Sequence, residues 1–490
     1  MQGKKIQQER LFINFQLSEY VPADNFYRQL SQILDLRFLY KSTADYYGSE
    51  GQKSIDPVVF MKLMLVGYLE NLTSDRRIIR TSRMRMDILF FLGYDLDEEF
   101  PWHSTLSRTR KLYGEDQFIT LFKQVLKLCV DHGLISGKRQ AIDSALVRAN
   151  ASISKMVEKQ VMADANVYVQ ELADNVDKDV AALEKPICND KTTGTKRVPA
   201  SNESHVSPSD PDARITMKPG KPMNLYYRSQ VSVDTASHLI TYIGAFPGNA
   251  ADNVSLPKIL EKIVENMQEH NIQVNEILAD TGYSSGDAMR SLAEHNIEGY
   301  IPNTASYKKD RQEEGFTYDI GNDRYTCKKG VHATFRCYEK LAKNRKLQRK
   351  IYRTNPADCM NCPIKSTCLN YMGTRRIKHS LDKPLYDQMY QRMSSDRAKT
   401  YKKLRSSTVE PVIGSLINYT GMGRINAKGI EQANKCMIMA AIAYNLKKLL
   451  KYKAGLSPSA TDSTKKSIDE IIYSHLCYFR LARAVLLSIS

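Results

Sequence analysis

The 490-residue chain has a single tryptophan, Trp102, and no run of about 18 uncharged apolar residues, the length a bilayer-spanning helix needs. Its first residues, MQGKKIQQERLFINF, lack the apolar segment of a secretory signal. These absences exclude an ordinary membrane span and lead us to expect a cytoplasmic protein with no membrane partner. Cysteine is also sparse: nine residues, an odd number scattered along the chain, do not read as a disulfide framework and should be reduced. Acidic residues are outnumbered, with 54 Asp and Glu against 71 Lys and Arg, a net charge of +17. Such a surplus favours a polyanionic partner through phosphate neutralisation and counterion release, and nucleic acid leads the candidates. An apolar fraction of 42% is enough for folded domains, and the length calls for two or three structural units.

Residues 56–132 are helical in pattern. PVVFMKLMLVGYLENL is apolar on more than one face, as a buried helix would be, and helical spacing recurs from Ile119 to Val130. Between them, SDRRIIRTSRMRMDILFFLGY and PWHSTLSRTRKLYG predict short basic helices that resemble a helix-turn-helix, the second capped by Ser104. Arg108 and Arg110 there are candidate DNA contacts, or else the solvated face of a core helix, and Trp102 reads as a packing residue. From Lys138 the texture becomes mixed. QAIDSALV predicts a strand, YYRSQVSVDTASHLITYIGAFPG a hairpin turning near Asp234, LPKILEKIVENMQEHNI a helix, and VNEILADTGYSS a buried strand ending in a carboxylate. A helix (GDAMRSLAEHNI), a short strand (GYIPN) and late helices at YKKLRSSTVEPVIGSLINY and IEQANKCMIMAAIAYNLKKLLK complete an α/β class.

Phosphodiester chemistry at neutral pH needs an activated nucleophile and stabilised charge on the attacking and leaving oxygens, which two Mg²⁺ (or Mn²⁺) ions roughly 4 Å apart supply. Hard divalent ions take oxygen ligands, and carboxylates at strand ends hold them rigidly. Asp143 lies within one predicted strand and Asp280 closes another. If those strands are adjacent and parallel, both side chains face one site, and the third ligand comes from an element crossing the sheet edge. Asp234 reads as a turn former, and Asp252 as a minor alternative.

AIDSALVRANAS, ILADTGYSS and YKKLRSSTVEPVIGSL, in that order, resemble the three catalytic motifs of bacterial insertion-sequence DDE transposases. The resemblance extends over nearly the whole chain. It implies a ribonuclease H-like mixed sheet with flanking helices, an N-terminal helical domain, and catalytic residues Asp143, Asp280 and Glu410 holding two metal ions. It further implies cleavage and strand transfer on double-stranded DNA, both transposon ends and target, by a homodimer associated with the bacterial nucleoid. A nuclease on the same fold, or a domesticated DNA-binding protein with a dead site, are the competing readings. The family's usual Tyr, Arg, Glu and Lys series is one residue tighter at its first two steps than Tyr401, Arg405 and Glu410, and position 417 is Ile. By resemblance, Arg405 would hold end phosphates, with Arg424 and Lys428 as nearby substitutes. The expected division is 1–135 helical and DNA-binding, 136–303 the first catalytic part with a polar insertion at 153–213, 304–396 a basic cysteine-bearing insertion, 397–453 the last catalytic part, and 454–490 a linker and helix.

Cys359, Cys362 and Cys368 form C-x₂-C-x₅-C, whose first pair has knuckle spacing for one metal ion. Three thiolates are one short of a structural Zn²⁺ site. Cys337 or Cys327 could supply the fourth ligand, with His332 and His379 as further candidates, and packing cysteines or an iron–sulfur cluster as alternatives.

Overall fold

The computed structural model describes residues 15–48, 50, 54–159, 162, 200–218, 220–303, 315–339, 349–369, 373–453 and 455. Most of the polar insertion expected at 153–213, parts of the basic insertion expected at 304–396 and nearly all of the linker and helix expected at 454–490 lie outside these residues, as do Cys188 and Cys477.

Eight helices come first: α1 (Leu17–Tyr20), α2 (Phe26–Ile33), α3 (Phe38–Ser42), α4 (Pro57–Leu69), α5 (Asp75–Met84), α6 (Met86–Leu92), α7 (His103–Leu112) and α8 (Glu115–Asp131). Helix α4 begins where Asp56 accepts hydrogen bonds from the Val58 and Val59 amides and Pro57 presets the first turn. Its apolar residues are buried on all sides, which explains why they show no single stripe.

Strand β1 (Arg139–Arg148) then enters a six-stranded sheet with β4 (Arg214–Lys218), β5 (Lys221–Asp234), β6 (Ile240–Pro247), β7 (Glu276–Leu278) and β8 (Glu298–Tyr300); β2 (Val157–Glu158) and β3 (His205–Val206) pair separately. The main order is β6-β5-β1-β7-β8, antiparallel on the β5 side of β1 and parallel on the β7 side. Three antiparallel strands followed by two parallel ones, with crossovers through α9 (Asp252–Gln268) and α10 (Gly286–Glu294), is the ribonuclease H-like arrangement. The β5–β6 hairpin is organised by buried Asp234, which accepts from the amides of Gly137, Ala236 and Ser237.

A second sheet follows, ordered β13-β12-β11-β10-β9, from β9 (Phe316–Asp319), β10 (Arg324–Cys327), β11 (His332–Tyr338), β12 (Arg349–Thr354) and β13 (Arg376–Ser380), with the short helix α11 (Lys365–Cys368) in the last connection. Its strands carry charge at many positions and bury only a small core of Phe316, Tyr325, Ala333, Tyr352 and Ile377. The sequence therefore offered no apolar run to announce them. Helices α12 (Lys383–Met393), α13 (Asp396–Tyr419) and α14 (Ile430–Lys453) close the described chain. Helix α14 joins the two halves: it packs on α4, α8 and β6, and one continuous apolar core runs from Tyr27 to Leu450. It also covers the sheet edge, where Asn445 exchanges hydrogen bonds with both backbone groups of Ile240 and Asn434 accepts from the Ala245 amide. Among the described residues no helix is long and apolar enough to cross a membrane.

Three expectations in the helical region change. Helix α7 begins at His103 with Trp102 at its N-cap, so Ser104 lies inside the first turn, where it accepts from Arg108. Trp102 is 77% exposed, not packed, because the N-cap position behind Pro101 turns its ring off the bundle. Arg110 is not a free DNA contact: its guanidinium is largely buried in an ion pair with Asp75 at 2.5 Å, tying α7 to α5. Removing one partner of a buried pair strands the other charge. We expect Arg110→Ala to cost about 3–5 kcal/mol in denaturant unfolding, and Arg108→Ala, on the exposed face, to stay within about 0.5 kcal/mol. Equal effects would contradict this division of the two arginines.

Candidate active site

Strands β1 and β7 pair in parallel as Arg139 with Glu276, Gln140 with Ile277 and Ala141 with Leu278. That register, carried two residues further, sets Asp143 level with Asp280 at the same offset in neighbouring chain runs, whose axes in a sheet lie about 4.8 Å apart. Asp280 has left the strand by then and caps the turn Thr281–Tyr283, accepting from the Gly282 amide at 2.9 Å. Gly282 has a spatial reason: a Cβ there would stand 3.0 Å from Asp280 Oδ1 and 3.5 Å from Asp252 Oδ2.

Asp252 opens α9 and is the residue to which sequence reasoning gave too little weight. It accepts from Arg228 Nη1 at 2.9 Å and Gln230 Nε2 at 2.7 Å, both from one face of β5. Its only signal in the sequence was position, an Asp at the helix start directly after the hairpin. Beneath these groups Tyr283 is fully buried and donates to Gln230 Oε1, and burial lifts its phenol far above the usual range.

Helix α13 packs across β1, β5, β7 and β8 and brings the third element. Its entry is anchored by Glu276, whose buried carboxylate is paired with Arg139 and Arg397 and receives the Tyr401 hydroxyl. One turn on, Arg405 Nη1 bonds Asp143 Oδ2 at 2.7 Å while its Nη2 stands 3.5 Å from Glu410 Oε1. Asp143 and Glu410 thus meet through one guanidinium, and Asp280 borders Asp143. Glu410 remains 59% exposed on its side chain, against 19% for Asp143. Burial pushes the Asp280 carboxyl above the usual range, and the Asp143 charge adds to the rise, while the Gly282 amide and Arg405 oppose it.

Arg405 therefore departs from the phosphate-holding position expected for it: it is half-buried between carboxylates. Arg424 and Lys428 are exposed, and Arg424 donates to Asn150 Oδ1 at 3.0 Å. They line a cleft with Thr73, Ser74 and Lys111 from the helical region. Among the described residues no three His, Cys, Asp or Glu side chains form a ready metal-holding group. At the carboxylates the reason is visible, since Arg405 takes the place of a cation between Asp143 and Glu410. An all-oxygen donor set around that cationic position fits a hard divalent ion such as Mg²⁺ or Mn²⁺.

The cysteines divide by strand register. Thr326 pairs with His332, so Cys327 ends β10 beside the start of β11, and the Cys327 amide donates to the Val331 carbonyl. Cys337 lies five positions past His332 along β11, roughly 17 Å away at strand rise, and is exposed. It is thus not the fourth member of the cluster, contrary to expectation. His379 is also excluded: its ring is bonded to the hydroxyls of Tyr325 and Tyr352, and burial lowers its pKa to about 4.

Comparison with protein families matches residues 15–112 to a transposase domain (DUF772) and residues 326–450 to a transposase DDE domain, the latter containing Arg405 and Glu410. No curated protein matches. Among solved structures, a piggyBac transposase synaptic complex with hairpin DNA is similar at 12% identity, with a TM-score of 0.24, over 92% of this chain and 84% of that one. A Mos1 transposase paired-end complex is similar at 11% identity, with a TM-score of 0.17, over 56% of this chain and 67% of that one. Overlays this loose carry no weight, and the fold assignment rests on strand order and register. The chain thus carries a transposase domain and a transposase DDE domain, the make-up of a DNA transposase.

Proposed function

We propose that Asp143, Asp280 and Glu410 hold two divalent ions, Mg²⁺ or Mn²⁺, with which the chain cuts DNA at transposon ends and joins the freed 3′ hydroxyl to target DNA. The observation that carries this reading is the β1–β7 register, which levels Asp143 with Asp280, together with the Arg405 bridge from Asp143 to Glu410. Bound there, the ions would activate water and stabilise charge on the attacking and leaving oxygens. The chain's own part is to fix the two aspartates on adjacent strands and to move Arg405. Released from Asp143 and Glu410 by a competing cation, that guanidinium stays at the site edge, where its forked donors suit a backbone phosphate. Asp280 would serve as a ligand in its ionised form, and its raised proton affinity makes metal binding pH-dependent.

The exposed Arg424, Lys428 and Arg108 are proposed to hold the DNA backbone, with region 1–135 as the end-binding unit and 304–396 as an insertion between the catalytic parts 136–303 and 397–453. Residues 454–490 are proposed as an appended linker and helix. Two copies bridging two ends, acting on DNA in the bacterial cytoplasm, follow from the need to bring both ends together.

Purified protein with Mg²⁺ and labelled element-end DNA should give cleaved ends and joined products. Asp143→Ala, Asp280→Ala and Glu410→Gln should each remove both products while end binding persists. Cleavage without joining would favour the nuclease, and activity surviving any one substitution would sink the ligand assignment. For Asp280 the sign is definite. A carboxyl raised in the folded chain opposes folding once ionised, so in EDTA at neutral pH Asp280→Asn should melt at or above the wild type, yet lose the stabilisation that added Mg²⁺ gives the wild type. Wild-type activity should also fall on acidification at a higher pH than an ordinary carboxylate would dictate. A variant that melts lower without metal would contradict the repulsion between Asp280 and Asp143.

A further inference from the structure

The second sheet buries five core residues, a small apolar store for five strands, and chains with so little core commonly rely on a staple. Its strand register gathers chain at one end. Cys327 closes β10 there; Ala333 pairs with Thr354, so β11 begins and β12 ends there; and Arg353 pairs with Arg376, so β13 starts there. The connection from β12 to β13, which contains Cys359, Cys362 and Cys368, therefore leaves from and returns to the end that holds Cys327.

The local backbone is shaped for sulfur ligands. After Cys327 the chain turns back through Gly330, at φ 83°, and the Lys329 amide donates to Cys327 Sγ at 3.3 Å. A tight turn in which the Cys362 amide donates to the Cys359 carbonyl sets that pair side by side, and the first turn of α11 presents Cys368. Cys327 and Cys368 both pack against the same small core.

We propose that Cys327, Cys359, Cys362 and Cys368 bind one structural Zn²⁺ as four thiolates, stapling the β12–β13 connection to the end of β10. Binding exchanges four thiol protons for the ion and leaves the site with two negative charges, next to Lys328, Lys329 and Lys365 in sequence. The four thiols share one end of the sheet but are not closed to coordinating distance, and the ion would draw them in. An all-sulfur donor set selects Zn²⁺ over the hard ions proposed for the carboxylates, so the two metal sites differ in chemistry and can fail separately.

The test is metal content of the full-length chain, purified under reducing conditions, together with the visible spectrum after replacement by Co²⁺. Wild type and Cys337→Ser should each hold one zinc per chain, and the cobalt form should show the intense bands of a tetrahedral four-thiolate site. Cys327→Ser should lose most of its zinc. Cys327→His, which restores a ligand, should retain it with weakened sulfur-to-cobalt charge transfer. Should Cys327→Ser fail to fold, the wild-type cobalt spectrum and the Cys337→Ser zinc content still decide. Zinc lost in Cys337→Ser, a cobalt spectrum with fewer than four sulfurs, iron in place of zinc, or a wild-type chain that takes up no zinc would each overturn the proposal.

Discussion

The parallel pairing of β1 with β7 is the constraint on which the rest of the site depends. In a sheet, a slip of one residue sends every side chain to the other face, so the match of Ala141 with Leu278 settles whether Asp143 and Asp280 can meet at all. The pairing is protected from both sides. Strand β1 lies inside the sheet with β5 along its other edge, and Glu276 at the start of β7 is held by Arg139 of β1 and by Arg397 of α13. The same carboxylate thus fixes strand register and helix position, and the helix position places Arg405 and Glu410.

Charge balance gives the site its resting form. Asp143, Asp252 and Asp280 crowd a partly buried region, where like charges repel more strongly than in water. Two arginines answer them: Arg228 holds Asp252, and Arg405 holds Asp143 while reaching Glu410. These pairings leave Asp280 as the carboxyl least compensated, which its raised proton affinity reflects. Arg405 is accordingly a charge-balancing partner of the carboxylates. It is the group a metal would have to displace.

Legibility from sequence followed burial. Strands and helices that bury a regular face, such as β1, the β5–β6 hairpin, α13 and α14, announced themselves through periodicity, whereas Glu410, midway along α13, was picked out by the resemblance of its motif and the two aspartates by strand context together with theirs. The antiparallel sheet β9–β13 was not legible, since its short charged strands bury little and take their order from one another. Arg108 and Arg110 were indistinguishable two residues apart in a basic helix; only the position of Asp75 separates a buried strut from an exposed side chain. Cys327 and Cys337 were likewise equivalent by composition, and register alone parts them. Spacing along a chain reports which elements exist, whereas the partner of a given side chain depends on contacts that spacing does not encode.

The central claim is that residues far apart in the chain converge on one metal position. Replacing Mg²⁺ by Fe²⁺ and adding ascorbate and peroxide generates hydroxyl radicals that cut the backbone next to the bound ion, and the fragments report which segments surround it. The account predicts cuts around residues 143, 280 and 410 together, all suppressed by excess Mg²⁺. Cuts confined to one of these segments, or insensitive to Mg²⁺, would contradict it.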